Sequence, residues 1–252
     1  MRQMNAMVFA AGLGTRLRPI TNHIPKALVT VNKIPMLEYA LKKLEHAGIS
    51  KTVVNIHHHH EQIIDFLNNY SSTKMEILIS DEKEKLLDTG GGLFHARKLF
   101  DPDTPILLYN VDILTTANLT PFIHFHQEFK PLVSMMVKKR ATSRYLLFDN
   151  NMVLSGWENI NTGEKITIRP ALMTTPYGFQ GIHIVSPEIF NFSKPDEAFS
   201  IIKLYLELGS KHIIKGYETK EDIWYDIGTP QRLEQTRNII TKLSSQELKN
   251  LF

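Results

Sequence analysis

Three stretches of the sequence gather residue types that handle phosphate. The first, FAAGLGTRLRPITNHIPKALV at 9–29, sets Gly12 and Gly14 beside Thr15, Arg16 and Arg18, with Lys26 a short distance on. Glycines let backbone N–H groups approach phosphate oxygens closely, and the hydroxyl and guanidinium groups add donors. The second, LLDTGGGLFHA at 86–96, puts Asp88 and Thr89 before Gly90, Gly91 and Gly92, ahead of an expected helix, where a bare backbone admits a flat base. The third is a pair of aspartates, Asp112 in ILLYNVDIL and Asp226 in WYDIGTP, each at an expected strand end. Mg²⁺ takes one or two carboxylates plus phosphate oxygens, so Asp112 and Asp226 are candidate ligands for it.

Other readings of the first stretch are weaker. A dinucleotide-binding G-x-G-x-x-G fails because Leu17 stands at the third glycine position, and no G-K-[ST] closes a Walker loop. A tight strand-to-helix turn accounts for Gly12 and Gly14 alone, but not for the cations around them.

The elements that must position these residues alternate. Apolar runs at 6–10, 52–56, 75–79 and 105–110 read as buried strands, and 36–48, 61–70 and 91–100 read as helices. In 36–48, Leu37, Ala40, Leu41 and Leu44 recur at helical spacing and Gly48 is a stop. Such alternation predicts a parallel sheet with crossover helices, whose ligands gather at strand carboxyl ends. The second half is richer in strands, at 131–137, 144–148, 178–185 and 212–218, and closes on a helix over 229–243 capped by Thr229, with Pro230 in its first turn. No repeat and no Pro/Gly/Ser linker divides the chain, so residues 1–252 are expected to form a single domain.

With 29 Lys plus Arg against 26 Asp plus Glu, the net charge of +3 is too small to announce a nucleic-acid partner; any anion site must be local. The absence of cysteine excludes disulfides, thiolate metal sites and Cys nucleophiles. The apolar run from Met4 to Ala11 is shorter than the ~20 residues a membrane span needs, and the expectation is a cytoplasmic protein without a membrane partner. Four histidines at 57–60 follow a strand; adjacent side chains do not converge on one ion as helix-spaced ligands do, so a solvated loop is expected.

The segment from Gly12 to Lys26 resembles the G-x-G-T-R-L-x-P-x-T-x-x-x-P-K signature of sugar-1-phosphate nucleotidyltransferases, matched at Gly12, Gly14, Thr15, Arg16, Leu17, Pro19, Thr21, Pro25 and Lys26. Asp112 and Asp226 resemble the family's paired metal ligands, and 86–96 resembles its segment beside the base. The likeness extends over nearly the whole chain and is closest to N-acetylmuramate-1-phosphate uridylyltransferases, then mannose- or heptose-1-phosphate guanylyltransferases. It implies an α/β, Rossmann-like nucleotide-diphospho-sugar transferase fold with a mixed, mostly parallel sheet. It also implies Mg²⁺-dependent transfer of a nucleoside monophosphate from a nucleoside triphosphate to a sugar-1-phosphate. By that resemblance Ala11, Gly12, Gly14 and Thr15 wrap the triphosphate, and Arg16 binds its pyrophosphate portion. Lys26 contacts phosphate near the reacting centre, Asp88, Thr89, Gly90, Gly91 and Gly92 line the base pocket, and Asn110 and Gly181 face the acceptor.

Two departures stand out. Val111 replaces the family's glycine before the first aspartate, which is expected either to narrow the acceptor space or to shift the backbone there, and the family's Glu-Lys-Pro element is only echoed by GEKITIRP at 163–170. Phosphocholine as acceptor in a cytidylyltransferase, a nucleotide sensor without turnover, and a hydride-transferring dehydrogenase are the rival readings. Pyrophosphate release separates transfer from sensing, and triphosphate binding without NAD binding removes the third.

Overall fold

The computed structural model describes residues 4–72, 74–192, 198–220 and 222–252. In chain order the strands are β1 (Asn5–Phe9), β2 (Thr30–Val31), β3 (Ile34–Pro35), β4 (Lys51–Ile56), β5 (Glu76–Asp81), β6 (Ile106–Asn110) and β7 (Ile113–Thr115). They continue with β8 (Val133–Lys138), β9 (Arg144–Phe148), β10 (Leu154–Asn159), β11 (Glu164–Thr167), β12 (Thr175–Val185), β13 (Ile214–Glu218) and β14 (Trp224–Asp226). The helices are α1 (Met36–His46), α2 (His60–Asn69), α3 (Asp88–His95), α4 (Leu119–Phe129), α5 (Ile201–Leu208), α6 (Pro230–Ile240) and α7 (Ser245–Lys249).

The large sheet runs β11-β10-β9-β12-β6-β1-β4-β5, with β8 beside β12 and β13 beside β8. β6, β1, β4 and β5 are parallel; β12 lies antiparallel to β6, and the strands beyond it make the sheet mixed. From β1 the chain builds outward through β4 and β5, then returns to place β6 on the other side of β1. That reversal opens a crevice at the carboxyl ends of β1 and β6, the usual ligand position in open α/β sheets.

Alternation along the strands splits the core into two faces. Ala6 and Val8 of β1 join Leu107 and Tyr109 of β6 under α1, α4 and α6, while Met7, Phe9, Ile106 and Leu108 pack on the other face under α3 and α5. Each buried leucine of this kind contributes about 1.5–3 kcal/mol. α1 buries Leu37, Ala40, Leu41 and Leu44, and Gly48, at φ 81°, turns the chain out of it. α6 begins at Pro230, where the Thr229 hydroxyl accepts from Arg232 N at 3.3 Å.

Two long-range pairings assemble the second half of the crevice. β12 pairs with β9 at Thr175–Tyr177 and with β6 at Ile182–Val185, and its register shifts where Gly181 takes φ 77°. β14 pairs with β7, setting Asp226 opposite Ile113. Among the described residues no helix is long and apolar enough to cross a membrane.

Candidate active site

The loop after β1 folds by local bonding. Gly14 sits at φ 63°, and its carbonyl accepts from Leu17 N and Thr21 Oγ1, both at 2.8 Å. A Cβ there would stand 2.8 Å from Thr21 Cγ2, so both backbone angle and space demand glycine. Ala11 and Leu17 are buried and anchor the loop, leaving Gly12, Thr15 and Arg16 exposed on its rim. The chain then turns back to Lys26, whose Nζ lies 2.5 Å from Asp112 Oδ2.

Asp226 meets Arg232, which donates from Nη1 to both carboxylate oxygens at 2.7 and 2.5 Å, while Gly228 N donates to Oδ1 at 3.1 Å. Arg16 reaches the same place from the other side: a Cβ on Gly228 would lie 2.9 Å from Asp226 Oδ1 and 3.2 Å from Arg16 Nη2. The backbones of the two aspartate segments are joined by Ile227 N donating to the Asp112 carbonyl at 3.1 Å. Arg16, Lys26, Asp112 and Asp226 thus converge, from three separate segments, on the crevice at the carboxyl ends of β1 and β6.

Among the described residues no three His, Cys, Asp or Glu side chains form a closed metal cage. Two carboxylates with hard oxygen donors, facing a crevice lined by cations, suit an ion that completes its shell with substrate phosphates, which is how Mg²⁺ is usually held. The histidines at 57–60 form the turn from β4 into α2; His57 Nδ1 sits 2.7 Å from the Glu82 carbonyl, and the His58 and His59 rings lie 3.9 Å apart.

The second stretch differs from its sequence reading in one respect. Gly90, Gly91 and Gly92 all lie inside α3, which begins at Asp88 rather than at residue 91, and all three are buried. A Cβ on Gly90 would strike the Phe199 ring at 2.2 Å, and one on Gly92 would lie 2.6 Å from Glu82 Oε1, so these glycines serve close packing. Each costs about 1 kcal/mol of helix propensity, offset by that packing. The exposed lip of the segment is Asp88, at φ 57°, whose carboxylate accepts from Thr89 N at 2.6 Å.

A chain of buried hydrogen bonds ties this lip to the first loop. Ala10 N donates to Asn55 Oδ1 at 2.7 Å, Asn55 Nδ2 to Glu82 Oε1 at 2.7 Å, and Leu87 N to Glu82 Oε2 at 3.1 Å. Burial pushes the Glu82 carboxyl up from its usual range, and the Asn55 and Leu87 donors pull it back.

The opposite wall is built on β12 and β14. Gly181 packs against Asn110, whose Nδ2 would be 3.0 Å from a Cβ there. Val111 does not obstruct this wall: it is 4 % exposed, packs into the core under α1, and its φ lies outside the left-handed region. The Arg140 guanidinium lies 4.2 Å over the Trp224 ring and donates from Nη2 to the Phe179 carbonyl at 2.8 Å; Trp224 Nε1 in turn donates to the Gln180 carbonyl at 2.8 Å. Burial lowers the affinity of Arg140 for its proton, Asp226 opposes that, and Arg232 adds to it. Further along, a cavity of about 680 Å³ opens between Asp88, Phe179, Trp157, Asn159 and Arg144. Two other cavities, near Asp103 and Glu188, lie at the amino end of β6 and hold none of these residues.

Arg140, Arg232, Asn55 and Glu82 are absent from the sequence reading. Arg232 had a usable signal, six residues after Asp226 in the first turns of an expected helix. Arg140 had none, because its partners come from β12 and β14.

A profile of the nucleotidyl transferase family matches residues 5–242. The N-acetylmuramate alpha-1-phosphate uridylyltransferase of Caulobacter vibrioides is 30% identical over 233 residues, covering 90% of this chain and 92% of that protein. Mannose-1-phosphate guanylyltransferase 1 of Arabidopsis thaliana is 29% identical over 90% of this chain, which spans 62% of that longer protein. The crystal structure of HddC from Yersinia pseudotuberculosis complexed with GMP-PN superposes with a TM-score of 0.76 at 20% identity, covering 94% of this chain and 100% of that one, a likeness of fold.

Proposed function

This chain belongs to the nucleotidyl transferase family, and we propose that it transfers a nucleoside monophosphate from a nucleoside triphosphate to a sugar-1-phosphate. The observation that carries the reading is the convergence of Arg16, Lys26, Asp112 and Asp226 on one crevice. A phosphate oxygen of the acceptor attacks the α-phosphorus, the bond to the β-phosphate breaks, and pyrophosphate leaves. The attacking oxygen is already anionic at neutral pH, so no general base is needed, and the protein's task is alignment and charge neutralisation.

Each side chain then has a definite task. The Gly12–Thr15 rim presents N–H donors to the triphosphate, and Arg16 neutralises the departing pyrophosphate. Lys26, rooted behind Pro25, brings a compact ammonium to the α-phosphate. Asp112 and Asp226 would hold Mg²⁺, which when bound supplies further charge neutralisation at the phosphates. The lip from Asp88 to Thr89 borders the base, with Gly90, Gly91 and Gly92 packed behind it. Asn110 and Gly181 face the acceptor, whose ring enters the cavity beside Phe179 and Trp157.

UTP with N-acetylmuramate 1-phosphate is the first pair to test, since the similar Caulobacter protein is named for those substrates. GTP with mannose or heptose 1-phosphate is the second. The deciding experiment is a matrix of four triphosphates against sugar-1-phosphates and phosphocholine with Mg²⁺, read by pyrophosphate release. Release with a sugar-1-phosphate is expected; release only with phosphocholine, or with nothing, would refute the reading.

A further inference from the structure

We propose that Arg140 is the clamp for the 1-phosphate of the acceptor, a role resting on the transferase reading above. Trp224 and Asp226 are two apart on β14, so their side chains project to the same face. A guanidinium stacked on Trp224 therefore lies alongside Asp226. Asp226 is already engaged by Arg232 through both oxygens. Arg140 forms no salt bridge with a described carboxylate; its protein partners are the carbonyls of Phe179 and Ala141 and the indole face. Its Nε, buried against Gly178, has no hydrogen-bond partner among the described residues.

Such a guanidinium is oriented with no described carboxylate bonded to it. Stacking fixes its plane, and a fixed planar fork matches two oxygens of a phosphate monoester. Its place decides which phosphate. Arg16 and Lys26 stand on the loop after β1, whereas Arg140 bonds the carbonyl of Phe179, a residue that lines the cavity, and lies close enough to Asp226 to feel its charge. An acceptor with its ring in that cavity delivers its phosphate past Arg140 toward Asp226.

The test compares Arg140→Gln and Arg140→Lys with wild type, using mannose 1-phosphate, whose ring is neutral, and N-acetylmuramate 1-phosphate, whose ring bears a carboxylate. Arg140→Gln should raise the acceptor KM roughly 10- to 100-fold for whichever acceptor turns over, the scale of one charged hydrogen-bonding pair. The triphosphate KM should stay within about twofold, and Arg140→Lys should recover part of the loss. Equal rises in both KM values, or a lower melting temperature with unchanged KM values, would reduce Arg140 to a brace for β12 and overturn the proposal. So would weakening confined to the carboxylate-bearing sugar. Should wild type turn over no pair, the transferase reading fails instead. NMR titration with mannose 1-phosphate would then judge Arg140 separately: weaker binding by Arg140→Gln supports the clamp, and equal binding removes it.

Discussion

The two walls of the crevice are made differently. The wall after β1 is a local construction: Gly14, Leu17, Thr21 and Lys26 lie within thirteen residues, and Leu17 and Thr21 both bond the Gly14 carbonyl. The wall of β12 and β14 is a construction at a distance, in which Arg140 finds Trp224 and Asp226 finds Ile113 only after the sheet has formed. A local wall can carry its chemistry in a readable motif. A distant one is specified by register, and its residues look ordinary in the sequence.

If Asp112, after β6, and Asp226, on the distant wall, hold one ion between them, substitution of either should cost the same. Asp112→Asn and Asp226→Asn are each expected to lower turnover by about 10³-fold, near 4 kcal/mol in the barrier, with thermal stability almost unchanged. Near-normal rates at limiting Mg²⁺ for one variant would remove that aspartate from the ion site.

The next effect isolates the local wall. Arg16→Ala should slow turnover roughly 10²-fold, the scale of losing one preorganised donor, while sparing sugar-phosphate binding. Lys26→Met should also slow turnover, with partial recovery in Lys26→Arg. Rates and triphosphate affinities measured together decide the matter: unchanged kinetics would make either residue a surface cation, and loss confined to affinity would remove Lys26 from the reacting centre.

A third test concerns how the distant half is stabilised. Burial lowers His126 to about 4 and His183 to about 3. Both folded values lie below the ordinary unfolded value of about 6.5, so the unfolded chain binds more protons between them. Stability is therefore fully present above pH ~6.5 and is lost as pH falls through the folded values. At pH 5 each group accounts for about 2 kcal/mol of that loss. Urea unfolding at pH 7 and pH 5 should show the decline, and His183→Phe should lessen it. An unchanged slope in that variant would exclude His183 as a source.

The smallest effect tests the joint between Asp226 and α6. Thr229→Ala removes the cap on Arg232 N and should cost about 1 kcal/mol. It should also loosen the helix that carries Arg232. Stability measured by denaturant, with turnover beside it, separates those consequences; no change in either would mean that Pro230 alone sets the helix start.

What could be read in advance follows the same division. Strands β1 and β4 of the parallel block are buried on both faces, so NAMVF and KTVVNI stand out from their surroundings, and α1 shows its stop at Gly48 and α6 its cap at Thr229 in sequence. α4 escaped notice, although Asn118 caps it through its side chain, and so did α5 and the β10–β11 hairpin with its fully exposed strand. The glycines of α3 announced themselves but not their partners, since Phe199 lies over a hundred residues away. Val111 shows the converse: of the two consequences open to it, neither could be chosen from sequence, and the structure places its side chain in the core with a φ outside the left-handed region.

The bonds from Ala10 through Asn55 and Glu82 to Leu87 have a mechanical meaning. If lip and loop hold the base and the phosphates of one nucleotide, as proposed, the few bonds joining base to α-phosphate limit the spacing the two can have. Glu82 acts as the gauge block between them. Because it is buried and bonded on both oxygens, the spacing of lip and loop is held by the protein alone, and on the proposed reading a nucleotide would meet it already set.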